Sequence, residues 1–211
     1  MKKFETILIV SKTSICKYNA IFSQILTMKK RIYQFIFYKL MGWKIVGNFD
    51  QNIKKCVIPV VPHTSWHDFY IGLCTRGALG LEINFVGKKE LFVFPLGYYF
   101  RAVGGEPLNR FKNENKVDAI AKIFAEKETF RLAISPEGTR KKVTEWKTGF
   151  YYIALKAKVP IIPIGFDWKN KQVIIFPELI PSGNKEADFE ILENYFDGIV
   201  GKVPEYSFTK K

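Results

Sequence analysis

A chain of 211 residues, 47% hydrophobic and 25% charged, suits one domain with a small appendage and has a globular rather than a disordered composition. Its 33 Lys and Arg against 20 Asp and Glu leave a formal charge of +13, which implies anionic partners: nucleic acid, an anionic membrane surface or phosphorylated substrates. Three widely spaced cysteines, Cys16, Cys56 and Cys74, give no metal-ligand pattern and suit a reducing compartment.

No run approaches the roughly 18 apolar residues of a membrane-spanning helix. The early apolar stretch, Ile7 to Val10, is shorter than a signal-peptide core. The chain therefore reads as cytosolic, either free or resting on a membrane. Residues 1–45 form a segment of their own, with Met28 a second candidate start. Lys29, Lys30 and Arg31 precede Ile32, Tyr33, Phe35, Ile36, Phe37 and Tyr38, then Leu40, Met41 and Trp43. An interfacial helix, basic at its start and aromatic along its buried side, has this pattern. A helix packed on the domain core has it too, because the apolar residues cover most of the circumference.

Residues 46–211 read as a second unit in which strand and helix patterns alternate. The β-branched run Cys56 to Val61 predicts a strand interrupted by Pro59 and ended by Pro62. A helix follows over 68–79 and a strand over 83–86. Lys116 to Lys127 gives the clearest helix, with Val117, Ile120, Ala121 and Phe124 at i, i+3, i+4 and i+7. Phe130 to Ile134 predicts a strand leading to the turn Ser135-Pro136-Glu137-Gly138. Helix over 148–158, strands over 161–166 and 172–176, and a final helix over 187–200 complete the pattern. Such alternation predicts an α/β sandwich around a mostly parallel sheet.

Both histidines of the chain fall in Pro62-His63-Thr64-Ser65-Trp66-His67-Asp68. On a regular helix five residues turn through roughly 500°, so the side chains of His63 and Asp68 would point apart. If the backbone leaves the strand in a loop, Asp68 can sit near the next helix start, as a favourable N-cap, and hold one imidazole nitrogen. The other nitrogen is then open to a substrate proton. A turn with a satisfied histidine and a plain helix cap fits the same residues. His67 reads as a neighbour facing away. Gly104 to Arg110 reads as a glycine-bent turn, with Arg110 offering a fork suited to phosphate. Ser135 to Arg140 stands at the C-terminal end of a strand, where ligands collect in open α/β sheets, and Arg140, Lys141 and Lys142 make it cationic. Val159 to Ile164 is an apolar run with two prolines, suited to an edge or kinked strand. Ser65 and Ser135 lack a nucleophile-elbow context.

In this order, the four blocks His63-Thr64-Ser65-Trp66-His67-Asp68, Gly104 to Arg110, Glu137-Gly138-Thr139-Arg140 and Val159 to Ile164 closely resemble those of the glycerolipid acyltransferases, over roughly residues 45–180. The family's best-known members are the 1-acylglycerol-3-phosphate acyltransferases. Pro62 departs from the pattern, since many members carry Asn before the histidine. The resemblance implies an α/β sandwich in which His63 is the general base and Asp68 its orienting partner. It implies that Arg110, with Lys88 as a weaker candidate, binds an acceptor phosphate. Glu137, Gly138, Thr139 and Arg140 would shape the acceptor site, and Pro160 and its neighbours would border the acyl chain. The implied partners are an acyl thioester on acyl carrier protein or coenzyme A, a lyso-lipid acceptor and an anionic membrane surface. No metal, resident cofactor or nucleic acid is expected, and the location implied is the cytoplasmic side of the cell membrane. Another lyso-lipid as acceptor, or a non-enzymatic basic module, are the competing expectations.

Overall fold

The computed structural model describes residues 21, 23–108 and 115–210. Arg110, Cys16, the run Ile7 to Val10 and most of the first 20 residues' pattern thus lie outside the described residues. Helix α1 covers residues 23–34 and passes into a wider turn over Phe35–Leu40. Strand β1 (Lys44–Val46) follows and straddles the boundary drawn at residue 45.

The core of the fold is a five-stranded sheet of order β1-β7-β6-β2-β5, in which β2 spans Lys55–Val61, β5 Phe130–Ile134, β6 Ile164–Asp167 and β7 Gln172–Ile175. Strand β2 pairs in parallel with both β5 and β6, and among the described strands only the β6–β7 pair is antiparallel. A second parallel pair, β3 (Phe85–Lys88) and β4 (Gly105–Leu108), continues the sheet beyond β5. The backbone joins them there: Asn84 N donates to Arg131 O at 2.7 Å and Ala133 N to Asn84 O at 2.8 Å.

Further helices and turns cover the two faces. Helix α2 (His67–Leu79) ends at Gly80, whose φ of 71° is the left-handed cap that favours glycine. Helix α3 (Leu96–Ala102) follows a short 3₁₀ turn, Lys89–Phe92. Helices α4 (Lys116–Glu126) and α6 (Lys185–Phe196) start on Asn115 and Asn184, whose side chains accept from Val117 N and Ala187 N at 3.2 Å each. Helix α5 spans Gly149–Ala157. Strand β2 is central, which is why it is apolar on both faces. Val57 and Val61 face α4, α5 and α6, in a core with Phe124, Phe150 and Leu192. Cys56 and Ile58 face the other way, with Ile71, Ala78, Phe37 and Trp43. Burial pushes the Cys56 thiol up to about 12.

Several expectations are corrected here. Gly105–Leu108 is a strand, not a turn; its Pro107 is tolerated because β4 has a partner on one side only among the described residues. The strand expected from residue 161 starts at Ile164, because Pro160 and Pro163 cannot donate to a ladder and Ile161 makes only single bridges. The last helix stops at Phe196, followed by Gly198 at φ 78°. The described part of the N-terminal segment has two sides. Phe37 and Trp43 are buried, and Gln34 donates to Ala78 O at 3.1 Å, whereas Ile25, Leu26, Met28, Ile32 and Phe35 are exposed. Among the described residues no helix is long and apolar enough to cross a membrane.

Candidate active site

Strands β2, β5 and β6 are parallel neighbours, so their C-terminal ends lie along one edge of the sheet. His63 follows β2, Ser135 to Arg140 follows β5, and Trp168 follows β6. The edge therefore collects residues from sequence positions about a hundred apart.

His63 leaves β2 just beyond the Val61–Pro62 bond, and Asp68 returns in the first turn of α2. Helix α2 starts at His67, so Asp68 is not its N-cap as expected; Trp66 holds that position without a side-chain cap. The carboxylate is turned back over the loop instead. Its Oδ2 lies 3.1 Å from His63 Nδ1 and accepts from Ser65 N at 2.9 Å, while Oδ1 accepts from Trp168 Nε1 at 2.7 Å. The side chain of Asp68 is 1% exposed and that of His63 is 25% exposed. An ionised carboxylate only accepts, so Nδ1 carries the hydrogen and the lone pair of a neutral His63 is on Nε2. His67 turns elsewhere: its Nδ1 meets Ser65 Oγ at 2.9 Å and its ring stacks on Trp66 at 3.9 Å.

Glu137 is the other buried group of the site. Its Oε2 accepts from His63 N at 2.7 Å, while Oε1 is buried beside the Ser135 hydroxyl, which favours the charged carboxylate. Burial pushes the Glu137 carboxyl up to about 7; Asp68 adds to this, and the amide and ring of His63 oppose it. Gly138, Thr139 and Arg140 are exposed beyond it. Gly138 has φ 63°, so the turn that leads from buried Glu137 to exposed Arg140 uses a conformation costly for other residues.

A cavity of about 590 Å³ opens beside the pair, within the usual range for ligand sites. His63, Asp68, Ser135 and Arg140 stand among its polar lining; the rest is mainly Ile58, Val60, Phe69, Phe85, Phe100 and Phe166. It runs between α2, the sheet and α3, and Arg76 also lines it, with its guanidinium donating to Val103 O. Burial lowers the Arg76 pKa from its ordinary value. Of the run Val159 to Ile164, only Ile164 reaches the cavity. Val159 and Ile161 belong to the core on the opposite face, and Pro160 O accepts from Val57 N at 3.0 Å. Lys88 is exposed at the end of β3 and is not among the lining residues. Arg110 follows the end of β4 outside the described residues. Among the described residues, no three His, Cys, Asp or Glu side chains converge as metal ligands.

Two contributors were not foreseen from sequence. Trp168 is a hundred residues from Asp68 and packs edge-on against Trp43 at 5.0 Å. The segment after α6 clasps the His63–Asp68 loop: Val203 N donates to the buried Thr64 Oγ1 at 3.1 Å and Trp168 N to Val200 O at 2.8 Å. A Cβ on Gly201 would stand 2.7 Å from Thr64 Oγ1, so glycine lets the two loop segments of this clasp approach so closely. A tryptophan after a strand and a glycine after a helix carry no sequence signal of either task.

Comparison with known proteins places this geometry. The profile of the Acyltransferase family matches residues 44–167. A chloroplastic 1-acyl-sn-glycerol-3-phosphate acyltransferase of Brassica napus is 30% identical over 119 residues, which cover 54% of this chain and 34% of that protein. A 1-acyl-sn-glycerol-3-phosphate acyltransferase of Saccharomyces cerevisiae is 30% identical over 130 residues, covering 57% and 41% respectively. The chain thus spans about a third of the length of the first of these relatives. Among solved structures, the 1-acyl-sn-glycerophosphate acyltransferase of Thermotoga maritima superposes with a TM-score of 0.52 at 21% identity, over 81% of this chain and 78% of that one. That likeness is one of fold.

Proposed function

The chain belongs to the Acyltransferase family, and from that premise we propose that it transfers a fatty acyl group from a thioester to the free hydroxyl of 1-acyl-sn-glycerol-3-phosphate, forming phosphatidic acid. The observation that carries the reading is His63 held at 3.1 Å by a buried carboxylate at the edge of an apolar cavity. His63 Nε2 removes the acceptor's hydroxyl proton as its oxygen attacks the thioester carbonyl. The tetrahedral adduct then collapses, the carbon–sulfur bond breaks, and the thiolate leaves with the proton that His63 took. Atoms balance without an acyl-enzyme and without a resident cofactor. Asp68 keeps the imidazole in the tautomer whose Nε2 is a base. The cavity takes the acyl chain, since its lining is aliphatic and aromatic, and Arg140, with Arg110 and secondarily Lys88, receives the acceptor phosphate as a charge-assisted pair.

Glu137, Gly138 and Thr139 shape the floor beneath that phosphate. The donor is acyl carrier protein or coenzyme A, both acidic, in keeping with a net charge of +13. The same charge favours the cytoplasmic face of an anionic membrane, where the acceptor resides. A product assay offering both donors to lysophosphatidate, to other lyso-lipids and to a phosphate-free acceptor tests the reading. Phosphatidic acid formed by the parent and lost in His63→Ala supports it. Turnover of that acceptor by a well-folded His63→Ala within about tenfold of the parent overturns it, since a positioned base contributes about 10² to 10⁴.

A further inference from the structure

The segment between β3 and β4 presents its apolar side chains outward. Leu91, Val93, Phe94, Leu96, Tyr98 and Tyr99 are all exposed, Phe94 by 84% and Tyr98 by 73%. Monomer surfaces rarely concentrate large apolar side chains in this way unless they meet a partner. The segment is also firmly built. Phe92 is buried as its anchor, Arg101 donates to Phe92 O at 3.1 Å and lies over the Phe92 ring at 5.6 Å, and Gly97 N donates to Val93 O at 2.7 Å. A Cβ on Gly97 would run into the Phe92 carbonyl, so the chain is packed against itself. The outward residues are thus held out by a fixed loop, not left out by a loose one.

Aromatic contacts lead from this loop to the catalytic pair. Tyr99 meets Phe100 at 5.7 Å, Phe100 meets Phe85 at 6.4 Å, Phe85 meets Phe69 at 5.7 Å, Phe69 meets Tyr70 at 5.9 Å, and Tyr70 meets Trp66 at 5.3 Å. Every ring of that series lines the cavity beside His63. Tyr99, Tyr70 and Trp66 are each about half exposed, the amphipathic disposition of rings at a membrane–water boundary. Three exposed cations flank the loop, Lys88, Lys89 and Arg101, against one carboxylate, Glu90. Apolar tip, aromatic shoulder and cationic flank together match the layers of an anionic leaflet, and a protein partner would not require a tip this apolar.

We propose that residues 89–99 form a lip that enters the outer layer of an anionic lipid bilayer and joins it to the cavity, so that an acyl chain passes from membrane to His63 along Tyr99, Phe85 and Tyr70 without crossing water. This rests on the acyl-transfer reading for its purpose, but not for its test. The full-length chain and its F94W variant are mixed with vesicles of phosphatidylcholine and phosphatidylglycerol that carry brominated acyl chains. Tryptophan emission of F94W is expected to shift blue and be quenched beyond that of the parent, whose four tryptophans lie elsewhere. Val93→Ser with Phe94→Ser is expected to reduce vesicle partitioning by about tenfold or more, from the loss of two buried apolar side chains. It is also expected to slow turnover of vesicle-embedded acceptor and to spare a water-soluble short-chain acceptor.

F94W emission that stays unquenched on vesicle-bound protein overturns the lip, whether or not acyl transfer occurs. So does a double variant whose only defect is a raised KM for donor on acyl carrier protein, because the surface would then be a protein dock. Absence of acyl transfer by the parent, with F94W quenched, overturns the catalytic reading and leaves the lip standing.

Discussion

The loop after β2 and the turn after β5 leave adjacent strands at one edge of the sheet, yet they are built on opposite plans. From His63 to Asp68 the polar groups are shared around two buried ones: Asp68 serves His63, Ser65 and Trp168, and Thr64 is clasped by Val203. Beyond Glu137, the residues Gly138 to Lys142 are exposed, with Lys142 Nζ donating to Ser207 O and Thr209 Oγ1. A base must be held to a fraction of an ångström and to one tautomer before the substrate arrives, and burial among hydrogen bonds achieves that. An anchor for phosphate gains from charge and reach, and strongly desolvated cations would be costly while the site is empty. The two plans suit the two tasks proposed for them.

Mutations can separate them. The largest effect is expected at the base: His63→Ala lowers kcat by about 10² to 10⁴ while leaving vesicle binding intact, measured by product formation beside a flotation assay. Next is the far side of the carboxylate. Trp168→Phe keeps the packing on Trp43 but removes the donor to Asp68 Oδ1, a hydrogen bond to a charged group worth about 1.5–3 kcal/mol. A loss of about tenfold or more in kcat at unchanged KM is expected; a rise in KM alone would place Trp168 outside the base's support. Arg140→Ala should act oppositely, raising KM for a phosphate-bearing acceptor by about tenfold and sparing a phosphate-free one. Equal losses for both acceptors would mean that the exposed turn is not the anchor.

The smallest effect on turnover, and the one most sensitive to pH, concerns Glu137, which belongs to both plans. Its carboxyl titrates near 7 in the fold against 4.5 for an ordinary glutamate. The folded state therefore binds the proton more tightly, and its share of stability is fully present below about pH 4.5 and is lost as pH rises to about 7. The shift corresponds to ~3 kcal/mol at most. Glu137→Gln retains an oxygen for His63 N and should flatten the stability profile across that window, as read by denaturant unfolding at a series of pH values.

How much of this was legible in the sequence follows the range of the interactions. Helix α4 and strands β2 and β5 declare themselves through periodicity, because each is apolar on the face or faces it buries. The His63–Asp68 contact is also local enough to be inferred from a strand end, a loop and a helix start. Strand β4 was not legible: a Gly-Glu-Pro-Leu stretch has turn composition, and only its position beside β3 makes it a strand. Trp168 and Gly201 act through partners that folding alone brings near, from the far side of one strand and beyond the last helix. The resemblance sets Pro160 and its neighbours beside the acyl chain, yet Val159 and Ile161, which precede β6, pack into the core on the other face of the sheet.

The clasp of residues 200–207 on Thr64 has a consequence for how the enzyme comes into being. Synthesis runs from the N-terminus, and domains settle as their contacts become available. The His63 loop precedes by more than a hundred residues the segment that supports it: Val203 bonds Thr64, Val200 bonds Trp168, and Ser207 bonds Gly201. Until that segment is made the imidazole and its carboxylate lack that support.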